Sequence, residues 1–177
     1  MSAGLCISPL EPGDIYALVA LVHSAYRGES SKKGWTTEAD LLDGIRTDAG
    51  SIYSLMSAPG SVILVYKEES LKGCVYLHAQ QPALYLGMLT VAPDQQSKGI
   101  GKTLLQAAET HAVEQRCTRI VMTVIDVRTE LINWYMRHGY KPTGETKPFP
   151  ADPSFGIPRQ PLQFMVLEKE IIPTNQR

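Results

Sequence analysis

The stretch from Val91 to Thr103, VAPDQQSKGIGKT, holds the residue types best suited to chemistry. A strand-like run ends there, a turn follows, and Gly99 and Gly101 open an amphipathic segment. The first turn of a helix has N–H groups without intrahelical partners and the positive end of the helix dipole, so it attracts phosphate. Glycines at that point remove the Cβ atoms that would hold a pyrophosphate away. Lys98 and Lys102 add positive charge beside it. Three motifs compete for these residues. Gly101-Lys102-Thr103 matches the end of a P-loop, but that motif needs glycine five positions before Gly101, where Gln96 stands. Gly99 and Gly101 fit the first two glycines of a Rossmann fingerprint, but Leu104 stands at the third. The pattern Q-x-x-G-x-G is satisfied by Gln96, Gly99 and Gly101.

Other chemistries find less support. Cys6, Cys74 and Cys117 are too few and too scattered for a disulfide framework or a zinc site, so no metal is expected. Cys74 and Cys117 lie in or beside strands without a paired base, which argues against a cysteine nucleophile. The formal net charge of -1 gives no bulk electrostatic case for nucleic acid or an anionic membrane. No apolar run is long enough to span a bilayer. The N-terminal residues show no basic region leading into an apolar one, and the cysteine usage fits a reducing compartment, so the expectation is a cytoplasmic protein. A chain of 177 residues suits a single domain, 1–177.

The elements that must position the glycine turn are legible from periodicity. Leu5 to Ser8 reads as a short edge strand. Asp14 to Tyr26 reads as a helix, with Ile15, Leu18, Val19, Val22 and Tyr26 at helical spacing and Asp14 as N-cap. The polar stretch RGESSKKG reads as a loop. A second helix is predicted from near Thr37, with capping-box spacing to Asp40 and an apolar face of Leu41, Leu42 and Ile45. Ser61 to Lys67 and Lys72 to His78 form a hairpin pattern, and Ala83 to Val91 a third strand in which Gly87 marks a bulge or a close backbone approach. A helix from Gly99 to Gln115, a buried-type strand from Arg119 to Val124, and a helix from Thr129 to His138 ending at Gly139 follow. A proline-rich loop precedes the last strand, Leu162 to Glu168. Such alternation predicts an α/β fold with a mixed central sheet of about six to seven strands and helices on both faces.

With the glycine turn between a central strand and a helix, the sequence resembles the GNAT-type N-acetyltransferase superfamily, the acyl-CoA N-acyltransferase fold. The resemblance covers nearly the whole chain and is most specific from Leu84 to Tyr140. It implies transfer of the acetyl group of acetyl-CoA to a primary amine by direct attack through a tetrahedral intermediate. It implies a bulged central strand splayed from the next parallel strand, with the pantetheine arm in the opening. Cofactor contacts then fall on Leu89, Thr90 and Val91 and on Gln96, Ser97, Lys98, Gly99, Ile100, Gly101 and Lys102. Many members carry tyrosine four residues before the glycine that ends the last helix, and Tyr135 matches. Its phenol would protonate the departing thiolate. Read structurally, Tyr135 is a core aromatic paired with Leu131 at i, i+4 spacing. Trp134 is assigned to packing.

Two departures stand out. Members often place asparagine seven residues before this tyrosine; here it is Arg128, which could reach a phosphate instead. Several members use a central-strand glutamate as general base, and ALYLGMLTV contains no acid. The amine's proton must go elsewhere, with Glu38, His78 or water as candidates. The resemblance places the acceptor opposite coenzyme A, under the loops Arg27 to Thr37 and Lys147 to Pro161. Tyr26, Trp35 and Glu38 are the substrate-binding candidates, because an aromatic ring and a carboxylate suit an ammonium group. The acceptor is a small-molecule amine or a protein amine, and a homodimer is compatible with the fold. The rival reading is a non-catalytic acyl-CoA sensor on the same fold.

Overall fold

The computed structural model describes residues 6–26, 42–43, 47–96, 98–150 and 157–172. In chain order the elements are β1 (Ile7–Pro9), a 3-10 turn (Pro12–Asp14), α1 (Ile15–Tyr26), β2 (Leu42–Asp43), α2 (Ala49–Ser57), β3 (Ser61–Lys67), β4 (Leu71–Gln80) and β5 (Ala83–Val91). A second 3-10 turn (Pro93–Gln95), α3 (Ile100–Glu114), β6 (Arg119–Ile125), α4 (Thr129–Arg137), β7 (Lys141–Pro148), β8 (Ile157–Pro158) and β9 (Gln163–Glu170) complete it. Seven strands form one mixed sheet in the order β1-β3-β4-β5-β6-β9-β7, and β2 pairs with β8 in a small second sheet. Within the large sheet β5 and β6 are parallel and the other pairs antiparallel.

Period-two alternation on the strands feeds two cores. On one face Ile63, Val65, Cys74 and Tyr76 meet Ile15, Leu18, Val22 and Ala25 of α1 and Ile52 of α2. On the other, Val75, Leu77, Leu84, Leu86 and Ile120 meet Leu104, Leu105, Ala108 and Ala112 of α3 and Leu131, Ile132 and Tyr135 of α4. Helices therefore cover both faces, as the alternation of elements predicts. No described helix is long and apolar enough to cross a membrane.

Three local expectations need correction. Asp14 does not cap α1; Pro12 fixes φ for a 3-10 turn that leads into the helix, and the Asp14 carboxylate instead accepts from Lys67 Nζ at 3.0 Å. Leu42 is not part of a helix. It lies in β2, opposite Pro158, so tertiary pairing overrides a short helical pattern; residues 37–41 and 45, like the loop 27–34, lie outside the described residues. The helix found in this region is α2, whose start is capped by Asp48, its side chain accepting from Ser51 N at 2.7 Å. That bond from the Ser51 N–H holds the Asp48 carboxyl below its ordinary range.

Candidate functional site

The site grows from an irregularity in β5. Cys74 pairs with Thr90 and Tyr76 with Gly87, so Met88 and Leu89 stand against Val75 alone, the geometry of a β-bulge. Met88 takes φ +52°, a left-handed conformation uncommon for a residue with a side chain. Its carbonyl accepts from Thr90 Oγ1 at 3.0 Å and from the Cys74 thiol at 3.5 Å. The Leu89 carbonyl accepts from the Tyr26 hydroxyl. Gly87 is a close approach, since a Cβ there would lie 2.8 Å from the Tyr85 ring. Pairing of β5 with β6 stops at Tyr85–Val121, although β6 stays paired to β9 as far as Ile125. Beyond that point the parallel strands part.

A cleft of about 600 Å³ opens beside this gap, between the start of α3 and the exposed side of α4. Gly99 is the α3 N-cap at φ +84°, and the Thr103 N–H makes the first bond, to Gly99 O at 3.0 Å. The N–H groups of the preceding turn point out of the helix start. Gly101 lets the helix approach Trp134: a Cβ there would stand 3.2 Å from the Trp134 Cζ2 and Cη2 atoms. Lys102 and Arg137 give the cleft positive charge, and Glu130 and Asn133 add polar groups. Such a surface suits a phosphate-bearing ligand with an extended arm.

A second cavity of about 250 Å³ lies on the other side of the parted strands. Tyr85, Met88, Met122, Phe149 and Phe164 give it an aromatic and apolar wall, and Arg128 brings a guanidinium. Tyr26, Leu89, Leu131 and Tyr135 line both spaces, so the cavities meet at these four residues. Tyr135 is 5% exposed, packed edge-on against Trp134 and Tyr140 at centroid distances of 5.2 and 5.8 Å. Burial, then the neighbouring Tyr26 and Tyr140 phenols, push its pKa well above the ordinary tyrosine value, with Arg128 opposing. The phenol therefore stays protonated across the neutral range. Its hydroxyl makes no hydrogen bond within the described residues.

The structure brings together most of the residues singled out from sequence. Leu89, Val91, Gln96, Gly99, Gly101 and Lys102 line the larger cleft, and Tyr26 and Tyr135 the junction. Gln96 folds back so that its Nε2 donates to Val91 O at 3.1 Å. Three of the expected residues turn their side chains elsewhere. The Ile100 side chain is buried in the core, Thr90 is 1% exposed and turned to Met88, and the exposed Lys98 donates to Gln95 Oε1 at 3.4 Å. Side-chain contact from these three is not part of the cleft lining. Ser97, Trp35 and Glu38 lie outside the described residues. His78 is removed from both cavities; its Nε2 lies 3.1 Å from Pro59 O beyond the hairpin, so it is no base for this site. Arg128 does not face the glycine turn. Its guanidinium carbon lies 5.7 Å from the Tyr26 ring centroid, in the smaller cavity. Sequence reasoning missed Arg137. The spacing Glu130, Asn133, Trp134, Arg137 marks one face of α4, and that face is the one turned to the cleft.

A mixed sheet parted between its two parallel strands, with a glycine-opened helix at the mouth of the gap, defines the acyl-CoA N-acyltransferase class of fold. The model of the acetyltransferase (GNAT) family matches residues 21–140, and the chain belongs to that family. Comparison with curated proteins by sequence gives no match. Among solved structures, the chain is similar to the ribosomal-protein-S18-alanine N-acetyltransferase from Escherichia coli, with TM-score 0.67 and 13% identity over 97% of this chain and 96% of that one. It is also similar to a ribosomal-protein-alanine N-acetyltransferase from Brucella melitensis, with TM-score 0.68 and 18% identity over 93% and 98% of the two chains. An aminoglycoside 6'-N-acetyltransferase complexed with coenzyme A gives TM-score 0.68 and 16% identity over 96% and 99%. At these identities the likeness carries the fold alone.

Proposed function

We propose that this chain is a single-domain enzyme that transfers the acetyl group of acetyl-CoA to a primary amine by direct attack. The observation that carries this reading is the meeting of two cavities at Tyr26, Leu89, Leu131 and Tyr135. One suits a phosphate-bearing thioester and the other a small acceptor. The first turn of α3, with Lys102 and Arg137, holds the pyrophosphate. The backbone of residues 89–91 takes the pantetheine amides; the Leu89 carbonyl, already accepting from Tyr26, has a second lone pair free for this purpose. A backbone N–H on the bulge polarises the thioester oxygen.

The amine nitrogen forms its bond to the acetyl carbon as the carbon–sulfur bond breaks. The proton lost by nitrogen must end on sulfur. Tyr135 stands where both meet, with a hydroxyl that is protonated at neutral pH and unengaged within the described residues. A thiol of ordinary pKa, about 8.5, is a stronger acid than this phenol. Tyr135 therefore acts by donating to the sulfur as negative charge accumulates, and the acidic nitrogen of the intermediate restores its proton through solvent. The described residues of the smaller cavity include no carboxylate or imidazole, and Glu38 lies outside the described residues, so the first proton goes to Glu38 or to water. We place the protein in the cytoplasm, where its three unpaired cysteines remain reduced.

The test is an amine panel with release of free coenzyme A monitored by a thiol reagent. Amine-dependent steady turnover supports the enzyme. Acetyl-CoA binding with no amine-dependent release above hydrolysis supports the sensor instead.

A further inference from the structure

The wall of the smaller cavity carries rings held in place from both sides of the parted strands. Phe164 stands on β9 opposite Ile125 of β6 and Lys147 of β7, so pairing on both flanks pins it. Phe149 follows the end of β7, and its ring lies 5.3 Å from the Phe164 ring with an interplanar angle of 31°. Across the gap, Tyr85 is the last residue of β5 to pair with β6. Its ring lies along its own strand beside residue 87, where a Cβ would stand 2.8 Å from Tyr85 Cε2, so glycine there gives the ring its place in the wall. Met88 lines the cavity beside it. Tyr85, Met88, Phe149 and Phe164 are all only partly buried, which leaves apolar surface for a ligand to cover.

Aromatic rings prefer offset or edge-on contact with other rings, and a thioether packs well against a ring edge. An apolar cavity of about 150 Å³ already holds benzene, and this one measures about 250 Å³. A phenyl-sized ring therefore fits, with room for a short linker leading to the junction at Tyr135. We propose that the acceptor is a primary amine bearing an aromatic ring on a short alkyl linker, and that Tyr85, Met88, Phe149 and Phe164 hold the ring. The proposal rests on the acetyl-transfer reading above. The wall moves no proton; burying the ring against it fixes the acceptor so that its nitrogen reaches the thioester at the junction.

The experiment compares amines that share one ammonium group and differ only in the ring: phenethylamine with ethylamine, and benzylamine with methylamine. Ionic contacts then act alike on both members of a pair. Values of kcat/KM are corrected for the free-amine fraction. In the wild-type protein at least one ring-bearing amine should exceed its alkyl partner by about 10- to 100-fold, the range for burying one such ring. Phe149→Ala should cut that ratio by about fivefold or more, since it removes part of the wall. Gly87→Ala, which displaces the Tyr85 ring, should do the same and stands in if Phe149→Ala does not fold. A ratio compares two substrates of one protein, so lost stability alone does not move it. Ratios near one for both pairs in the wild type, or an undiminished ratio in Phe149→Ala, overturn the proposal. So does faster turnover with hexanoyl-CoA than with acetyl-CoA, which gives the cavity to the acyl chain instead. The wild-type ratio decides alone if neither variant folds. Should no amine be acetylated, the acetyl-transfer reading fails, and titration calorimetry of phenethylamine and ethylamine into the complex with coenzyme A decides the role of the wall. Ring-selective binding weakened in Phe149→Ala sustains that role, and binding without selectivity, or none, removes it.

Discussion

Gly101→Ala is the most discriminating change in the glycine turn. The new methyl would stand 3.2 Å from Trp134 Cζ2 and Cη2 and 3.7 Å from Val91 Cγ2. Carbon atoms rest best at about 3.5–4.0 Å, so the indole must yield by a few tenths of an ångström toward the cleft. Trp134 is only partly buried and borders open space there, so the shift costs the fold little. Alanine also favours a helix over glycine by about 1 kcal/mol, so the melting temperature should hold or rise. Binding should suffer, because the methyl and the displaced ring both occupy the approach to the first-turn N–H groups. Loss of one charge-assisted bond is worth about 1.5–3 kcal/mol, or about a 10- to 100-fold weaker acetyl-CoA affinity. Gly99→Ala should behave differently. A Cβ at Gly99 meets nothing within 4 Å, but φ is +84°, so about 1–2 kcal/mol of stability should be lost to backbone strain. Thermal melting and calorimetry with acetyl-CoA measure both. Undiminished affinity in Gly101→Ala would refute the phosphate site at this turn.

Two further outcomes follow from the same geometry. Thr90→Val removes the hydroxyl that donates to the left-handed Met88 carbonyl; kcat should fall several-fold with the acceptor KM little changed, Thr90→Ser should restore it, and equal loss in both would assign Thr90 to packing. The pH profile of kcat should rise as the acceptor amine deprotonates. A general acid loses its effect as pH climbs through its pKa, and burial pushes Tyr135 above the ordinary 10.0, so no alkaline downturn should occur below about pH 10; a downturn near the thiol range of about 8.5 would contradict this assignment.

The larger part of the fold is written in local pattern. Strands β3, β5 and β6 and helices α3 and α4 follow from β-branched runs, helical periodicity and the glycine signals at Gly99 and Gly139, the latter at φ +96°. Helix α2 was hidden because AGSIYSLMS carries glycine and three serines and only Ile52 is fully buried. Its strongest signal, Asp48 three residues before Ser51, is a cap without a periodic run behind it. The pairing of Leu42–Asp43 with Ile157–Pro158 joins segments far apart in the chain, so no local pattern could announce it. At the site, the glycine turn was legible because its chemistry is local. The positions of Arg128 and His78 were not, since they depend on which side of the parted strands each residue falls. Gly87 in a strand pattern signals a bulge or a close approach; the extra residue belongs to Met88, and Gly87 makes room for the Tyr85 ring.

The most direct test is Tyr135→Phe. Its ring contacts with Trp134 and Tyr140 should survive, and the lost hydroxyl leaves no described partner unsatisfied. Melting temperature and acetyl-CoA affinity should therefore stay near wild type, while kcat with a competent amine falls by about 10²–10⁴-fold, the effect of a positioned acid. Near-normal turnover, or a loss that tracks stability or coenzyme binding, would contradict the placing of the reaction at the junction beneath Tyr135.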